Sequence, residues 1–386
     1  MVGSRRTLVG RVGLMFLAAL LGVGSVSAQG RRKVIIDQDC RGPATTDLLS
    51  TLALIQSPDT EVLGVTVVSG DQWRDEEIAH TLRLLEIIGR TDIPVLPGIV
   101  FPLINRKEEI ARWEKLHGRV GYQGAWNEKP PGQYPGWWAK RGYLETFVVP
   151  DLPEGNPTAK ASSEDAAHFL IRMARQHKGE ITVYAGGPLT NLAVALAIDH
   201  EFPTLVKELV VMGASLRPVA DGTPMADSTL HQPRREFNFW WDPEATRMVL
   251  RAPWRKITVT SVDISVKTKF SKALIDEVGR TRTPAAEYVA KWSDEQLMWD
   301  EIAALAWLDP SLITRQRTVY MDIDIDHGAG YGNTLSWPEG SNPGLGEQLV
   351  TIQEDLDLPR FYRMFVDLMT RPTPKPMAKN PGTENR

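Results

Sequence analysis

Apolar residues recur along the chain in two alternating rhythms, short unbroken runs and stripes at helical spacing. Lys33-Val34-Ile35-Ile36-Asp37-Gln38-Asp39 is a run of the first kind, and it ends in two carboxylates. Asp47 to Gln56 follows with apolar Leu48, Leu49, Leu52, Ala53 and Ile55, the spacing of a buried helix. Glu61 to Gly70 predicts a second buried strand ending at Gly70-Asp71. Asp75 to Gly89 then predicts an amphipathic helix, with Ile78, Leu82, Leu85 and Ile88 on one face and Gly89 past its end. Ile93 to Gly98 predicts a short third strand. Strand and helix alternating in this way imply right-handed parallel crossovers, hence a single large α/β domain with a mostly parallel sheet flanked by helices.

From Phe101 to about Ala161 the periodicity breaks down. His117-Gly118, Gly121-Tyr122-Gln123-Gly124 and Pro130-Pro131-Gly132 mark a long irregular segment rich in tryptophan (Trp113, Trp126, Trp137 and Trp138), with Trp73 further back. A loop of this length in a compact domain is usually a lid or rim, or an insertion that packs on another subunit. Regularity returns with a helix over Ser163–His177 capped by Ser163 and a strand over Ile181–Ala185. Gly186-Gly187-Pro188-Leu189-Thr190-Asn191 then leads into a helix from Leu192. Further strands are expected at Leu209–Gly213 and Ile257–Val262. Helices are expected after Asp242-Pro243-Glu244, near Lys272–Gly279 and Pro284–Lys291, and over the apolar Ile302–Leu308. Val319–Ile325 alternates like an edge strand. The tail from Arg371 to Arg386 is rich in proline and polar residues, the composition of a disordered segment.

Composition narrows the class. The 386 residues are 42% hydrophobic and 24% charged, with a formal net charge of −4. That suits a globular protein with a sizeable core and argues against nucleic acid as a partner. The first 28 residues carry Arg5-Arg6, an apolar run over Val12–Val26 and small residues at Val26-Ser27-Ala28. This is the pattern of a cleaved signal peptide, of the general secretory or the twin-arginine kind. The apolar run is too short for a membrane anchor, so export to the periplasm or the medium is expected, with no stable membrane insertion afterwards. The single cysteine, Cys40, cannot form an internal disulfide.

The chemistry concentrates at the first strand. Asp37, Asp39 and Asp47 fall within eleven residues, at a strand end, across a Gly/Pro loop and at a helix start. Carboxylates so close repel unless they share a cation or a proton, which points to a hard-cation or acid/base site.

Separated motifs then agree in order: Ile36-Asp37-Gln38-Asp39 with Asp47, Gly64-Val65-Thr66 to Gly70-Asp71, Gly187-Pro188-Leu189-Thr190-Asn191, and Val210-Val211-Met212-Gly213. Glu236-Phe237-Asn238 with Asp242-Pro243-Glu244-Ala245 follows, and then Asp300 before Ala303-Ala304-Leu305-Ala306. Over roughly Lys33–Leu312 the chain resembles the nucleoside hydrolases, the inosine/uridine-preferring N-ribohydrolases. The resemblance implies a Rossmann-like sheet, a homodimer or homotetramer, and Ca²⁺-dependent hydrolysis of the N-glycosidic bond of ribonucleosides to base and ribose. It implies Ca²⁺ ligation by Asp39, Asp47, the Gly186 carbonyl and Asp300, with Asp39 also taking a proton from metal-bound water. Glu236 and Asn238 would bind ribose hydroxyls, Asp71 stands where an Asn is usual, and Met212 would line the sugar pocket. Asp37 and Asn191 would act behind the ligands, Asp37 orienting the first motif.

Two departures are visible. The resemblance calls for adjacent aspartates soon after the first pair; here the loop is three residues longer and Thr46 replaces the first of them, leaving only a hydroxyl for a ribose contact. Trp299 stands where one branch has an acidic His and a purine-specific branch has a stacking Trp. That favours a purine-leaning enzyme, with Phe101 or Trp73 as the opposite face. Two alternatives fit less of the chain. One is a non-catalytic nucleoside- or ribosyl-binding protein that keeps the Ca²⁺ site. The other is a phosphatase like the haloacid dehalogenases, which shares only Asp-x-Asp.

Overall fold

In this computed structural model, which describes residues 30–127, 145–217 and 234–376, nine strands form one sheet in the order β3-β2-β1-β4-β5-β6-β9-β7-β8. The strands are β1 Arg32–Gln38, β2 Thr60–Val67, β3 Val95–Pro97, β4 Thr182–Ala185, β5 Glu208–Met212, β6 Ile257–Thr260, β7 Ile313–Ile323, β8 Thr334–Trp337 and β9 Gln348–Leu356. β1 to β6 are parallel, and β9 adds in parallel to β6. β7 and β8 then run antiparallel. The first six strands read β3-β2-β1-β4-β5-β6, the doubly wound order, in which the chain reverses its winding between β1 and β4. Ligands in such sheets bind at the carboxyl ends of the strands that flank this reversal.

Among the described residues, the α-helices longer than four residues are α1 Thr46–Gln56, α2 Arg74–Ile87, α3 Lys107–His117, α4 Ala166–Gln176, α5 Thr190–Ile198, α6 Phe237–Trp241, α7 Pro243–Arg251, α8 Lys272–Val278, α9 Pro284–Trp292, α10 Asp300–Leu308 and α11 Leu358–Thr370. One core joins α1, α2 and α8 to α11 beneath one face of the sheet, and a second joins α4, α5 and α7 to the other. Both faces are covered, which is why β1, β4 and β5 read as largely apolar runs. α1 and α10 are buried almost all round, as their unbroken apolar sequences require. No helix among the described residues is long and apolar enough to cross a membrane.

Several local expectations change. β7 lies between β9 and β8 and begins at Ile313, so it is an interior strand; the edges are β3 and β8. The α4 cap is Asp165, whose carboxylate accepts the His168 N–H, rather than Ser163. Part of the segment expected to be irregular over 101–161 is helical: α3 buries Ile110 and Trp113 in an aromatic cluster with Trp73, Trp126, Trp240 and Trp241. Trp137, Trp138 and the leader 1–28 lie outside the described residues. Of the tail expected to lack structure, Arg371 and Pro374 offer their carbonyls to Gln56 Nε2 (2.9 Å) and Arg90 Nη1 (3.4 Å), and 377–386 lie outside the described residues.

The loop Cys40–Thr45 is held on every side. Gly42 N–H donates to Gln72 Oε1 (3.1 Å), Ala44 N–H to the Tyr288 hydroxyl (2.9 Å), and Ser293 Oγ to the Ala44 carbonyl (3.1 Å). The His80 ring, itself paired with Glu154, lies flush against Gly42, where a Cβ would overlap it. Gly42→Ala is therefore expected to cost about 1–3 kcal/mol, read as a lowered unfolding midpoint, whereas Gly89→Asn, at an exposed positive-φ site with open space around it, should cost far less.

Candidate active site

A cavity of about 520 Å³ opens at the β1/β4 switch point. It is lined by Asp39, Thr46, Asp47, Asp71, Gly186, Met212, Glu236, Asn238, Trp299 and Asp300 from the sequence-derived set. Asp37 and Asn191 lie behind it. Asp37 Oδ1 accepts from Thr66 Oγ1 (2.5 Å) and Asn191 Nδ2 (2.7 Å), while Asn191 Oδ1 accepts the Ile99 N–H (2.8 Å). Burial pushes the Asp37 carboxyl up to about 6 against those two donors.

Asp39 leaves the end of β1 with its Oδ2 accepting the Asp71 N–H (2.9 Å) and its Oδ1 buried without a hydrogen-bond partner. A Cβ on Gly187 would lie 2.6 Å from that bare oxygen, so the turn after β4 must be glycine to let the carboxylate in. Asp47 sits in the first turn of α1 and Asp300 opens α10, so both occupy helix N-termini, where the macrodipole favours negative charge. Gln38 bridges the group: its Oε1 accepts the Asp39 N–H (3.0 Å) and its Nε2 donates to Asp300 Oδ2 (3.1 Å). Desolvation, then repulsion from neighbouring carboxylates that include Asp71, holds Asp39, Asp47 and Asp300 above the usual carboxylate range.

This donor set fits a hard cation. It offers carboxylate oxygens, one of them bare and buried, beside the Gly186 carbonyl. Among the described residues no group of three or more His, Cys, Asp or Glu side chains closes into a metal cage by itself. Calcium does not require one, because carbonyls, water and ligand oxygens complete its shell.

Thr46 is spent on structure. Its hydroxyl donates to Glu301 Oε2 (2.6 Å) and accepts the N–H groups of Asp300 (3.1 Å) and Trp299 (3.3 Å), stitching the start of α1 to the start of α10. At the other end, Glu236 takes three backbone N–H groups, from Asn238 (2.8 Å), Phe239 (3.0 Å) and Ala214 (3.2 Å). Asn238 Nδ2 donates to the carbonyls of Gly186 (2.6 Å) and Met212 (3.2 Å). Trp299 lines the cavity with Val262 and Gln296 beside it. Phe101 and Trp73 do not; they pack edge to face with each other at 5.6 Å.

The cavity also holds residues that the motifs did not single out: Arg41, Tyr122 and Arg235. Gln38 and Glu301 stand immediately behind the acids, as neighbours in sequence of Asp39 and Asp300. That adjacency was the available signal for them. Tyr122 comes from a segment with no periodicity to read. Arg235 stacks over Trp113 (4.4 Å), and burial lowers its pKa to about 10.

Fold and site together define a doubly wound α/β protein with an acidic, cation-fitting cavity at the switch point of its sheet. The sequence model of the inosine-uridine preferring nucleoside hydrolases matches residues 34–363, and the chain belongs to that family of metal-dependent N-ribohydrolases, glycosidases that act on nucleosides. The chain is 26% identical over 346 residues to uridine nucleosidase 1 of Arabidopsis thaliana, covering 84% of this chain and 89% of the relative. It is 26% identical to the pyrimidine-specific ribonucleoside hydrolase RihA of Photobacterium profundum, over 73% of this chain and 81% of that protein. Among solved structures, a plant nucleoside hydrolase superposes with a TM-score of 0.66 at 22% identity, covering 88% of this chain and 99% of the other. A purine-preferring ribonucleoside hydrolase from Gardnerella vaginalis does so with a TM-score of 0.66 at 19% identity, covering 88% and 98%.

Glu236 generates a pH prediction. Burial pushes its carboxyl up to about 7 from the ordinary 4.5, against its three N–H donors. The folded state therefore prefers the protonated acid, and the stability this contributes is full below 4.5 and lost as pH rises through about 7. In chelator, the unfolding midpoint of Glu236→Gln should improve relative to the parent between pH 5 and pH 8; a constant gap would disprove the assignment.

Proposed function

We propose that the chain hydrolyses the N-glycosidic bond of purine-leaning ribonucleosides with Ca²⁺ bound by Asp39, Asp47, the Gly186 carbonyl and Asp300. The observation that carries this is the bare, buried Oδ1 of Asp39 in a cavity it shares with Asp47 and Asp300. Bound calcium would make a nearby water more acidic and engage sugar hydroxyls. Asp39 then accepts the proton of the attacking water, while Asp71 N–H fixes its other oxygen and so its orientation. Asp37, clamped by Thr66 and Asn191, holds the end of β1 in register. Glu236 and Asn238 bind the glycon, with Met212 at its apolar side, as charge develops on the ribosyl group. Trp299 offers a face for the base to stack on as it leaves.

Base release from inosine, guanosine and uridine, followed with Ca²⁺ and with EDTA, tests the reading. Asp39→Ala should lower kcat by about 10²–10⁴-fold, and EDTA should abolish turnover until Ca²⁺ is restored. Calcium binding without release of any base would sink the proposal and favour a nucleoside-binding protein. Trp299→Ala should lower kcat/KM for inosine about tenfold, on the scale of one aromatic stacking contact, and reduce that for uridine less. Equal losses, or a parent that prefers uridine, would overturn the purine assignment.

A further inference from the structure

The loop that departs most from the resembled pattern delivers a guanidinium into the cavity. Arg41 Nη1 donates to Asp71 Oδ2 (2.9 Å) and to the Tyr122 hydroxyl (3.1 Å), and that hydroxyl donates to Asp71 Oδ1 (2.8 Å). The closed trio stands at the Asp39 end of the cavity, since the Asp71 N–H bonds Asp39 Oδ2. The Arg41 side chain keeps 24% of its surface exposed and lines the cavity, and Asp71 keeps 13%.

Thr46 has nothing left to offer a sugar. A hydroxyl has one hydrogen and two lone pairs, and Glu301, Asp300 and Trp299 take all three. A cation that lines this end of the cavity is Arg41, on a loop clamped by Gln72, Tyr288 and Ser293. We propose that Arg41, held by Asp71 and Tyr122, is a specificity-determining residue that recognises the sugar's vicinal hydroxyls, making the contact that Thr46 cannot make. A guanidinium donates charge-assisted bonds to hydroxyl oxygens, and Asp71 oxygens retain lone pairs for hydroxyl hydrogens. The inference rests on the proposed nucleoside reading.

The test compares inosine with 2′-deoxyinosine and 3′-deoxyinosine on the parent, Arg41→Ala, Arg41→Lys and Tyr122→Phe, all Ca²⁺-loaded. Arg41→Ala should raise KM for inosine at least about tenfold while changing the deoxy substrates little, so that the inosine-to-deoxyinosine ratio collapses. Arg41→Lys keeps the charge without the fork and should restore only part of the ratio. The pH profile of kcat should not move. An unchanged ratio would overturn the proposal, as would an equal fall in kcat on all three substrates, the mark of a residue that only braces Asp39. Should Arg41→Ala fail to fold, Tyr122→Phe decides, with a smaller shift of the ratio in the same direction expected and none overturning. A parent that releases no base from any nucleoside defeats the functional reading alone. Calorimetry with ribose and 2-deoxyribose then judges Arg41: parental preference for ribose that Arg41→Ala loses supports it, and equal binding or none overturns it.

Discussion

The crowding of carboxylates at the end of β1 is the constraint around which the rest of the molecule is arranged. Asp39, Asp47 and Asp300 are 1%, 4% and 2% exposed, so none can be solvated well as an anion. Burial of an unpaired charge costs several kcal/mol, and three together add mutual repulsion. The fold meets this with positive ends and a nearby cation: α1 and α10 direct their N-termini at the group, the Arg41 charge favours the Asp47 anion, and Gln38 lends an amide between Asp39 and Asp300. Such an arrangement stabilises the acids only in part, and a bound cation would relieve the remaining deficit. The scaffold serves the same end. β1 and β4 flank the reversal of the sheet, and α1 is bound to α10 through the Thr46 hydroxyl, so acids far apart in sequence are fixed to neighbouring rigid elements.

How much of this the sequence revealed depended on how strongly burial marks the pattern. β1, β4 and β5 are covered on both faces and appear as largely apolar runs. Gly187-Pro188-Leu189-Thr190-Asn191 and Glu236-Phe237-Asn238 appear because close backbone approach and capping restrict what can stand there. The C-terminal third was harder. β9 carries polar Gln348, Thr351, Gln353 and Glu354 among its apolar residues, because its strand neighbours leave part of it half-exposed. α11 did carry a helical stripe, Phe361, Phe365, Leu368 and Met369, all buried. α3 buries only Ile110 and Trp113, too few positions to establish a period.

The candidate site divides along the same line. Residues on regular elements were identifiable from motif and order. Tyr122 was not, since it reaches the cavity from a segment whose place is set by long-range contacts, among them the Ala125 N–H to the Gly70 carbonyl (2.8 Å). The loop Cys40–Thr45 was visible as an extra length and nothing more. Its path depends on Gln72, His80, Tyr288 and Ser293, partners scattered over two hundred residues, and no local rule predicts that Arg41 turns inward.

Charge bookkeeping gives the loop its meaning. Compared with the resembled pattern, an aspartate is replaced by Thr46, an asparagine position becomes Asp71, and a cation, Arg41, is added. The losses and gains are local and linked: a carboxylate at 71 would add to the repulsion on Asp39, and Arg41 with Tyr122 engages both of its oxygens. The Thr46 hydroxyl, freed from a sugar, takes over the N-terminus of α10 and the Glu301 carboxyl, which burial pushes up to about 8. Each exchange is unfavourable alone and acceptable with the others. The lengthened loop is thus a coordinated rebuilding of one wall of the cavity, in which Asp39, Asp47 and Asp300 are kept and an arginine, Arg41, is added.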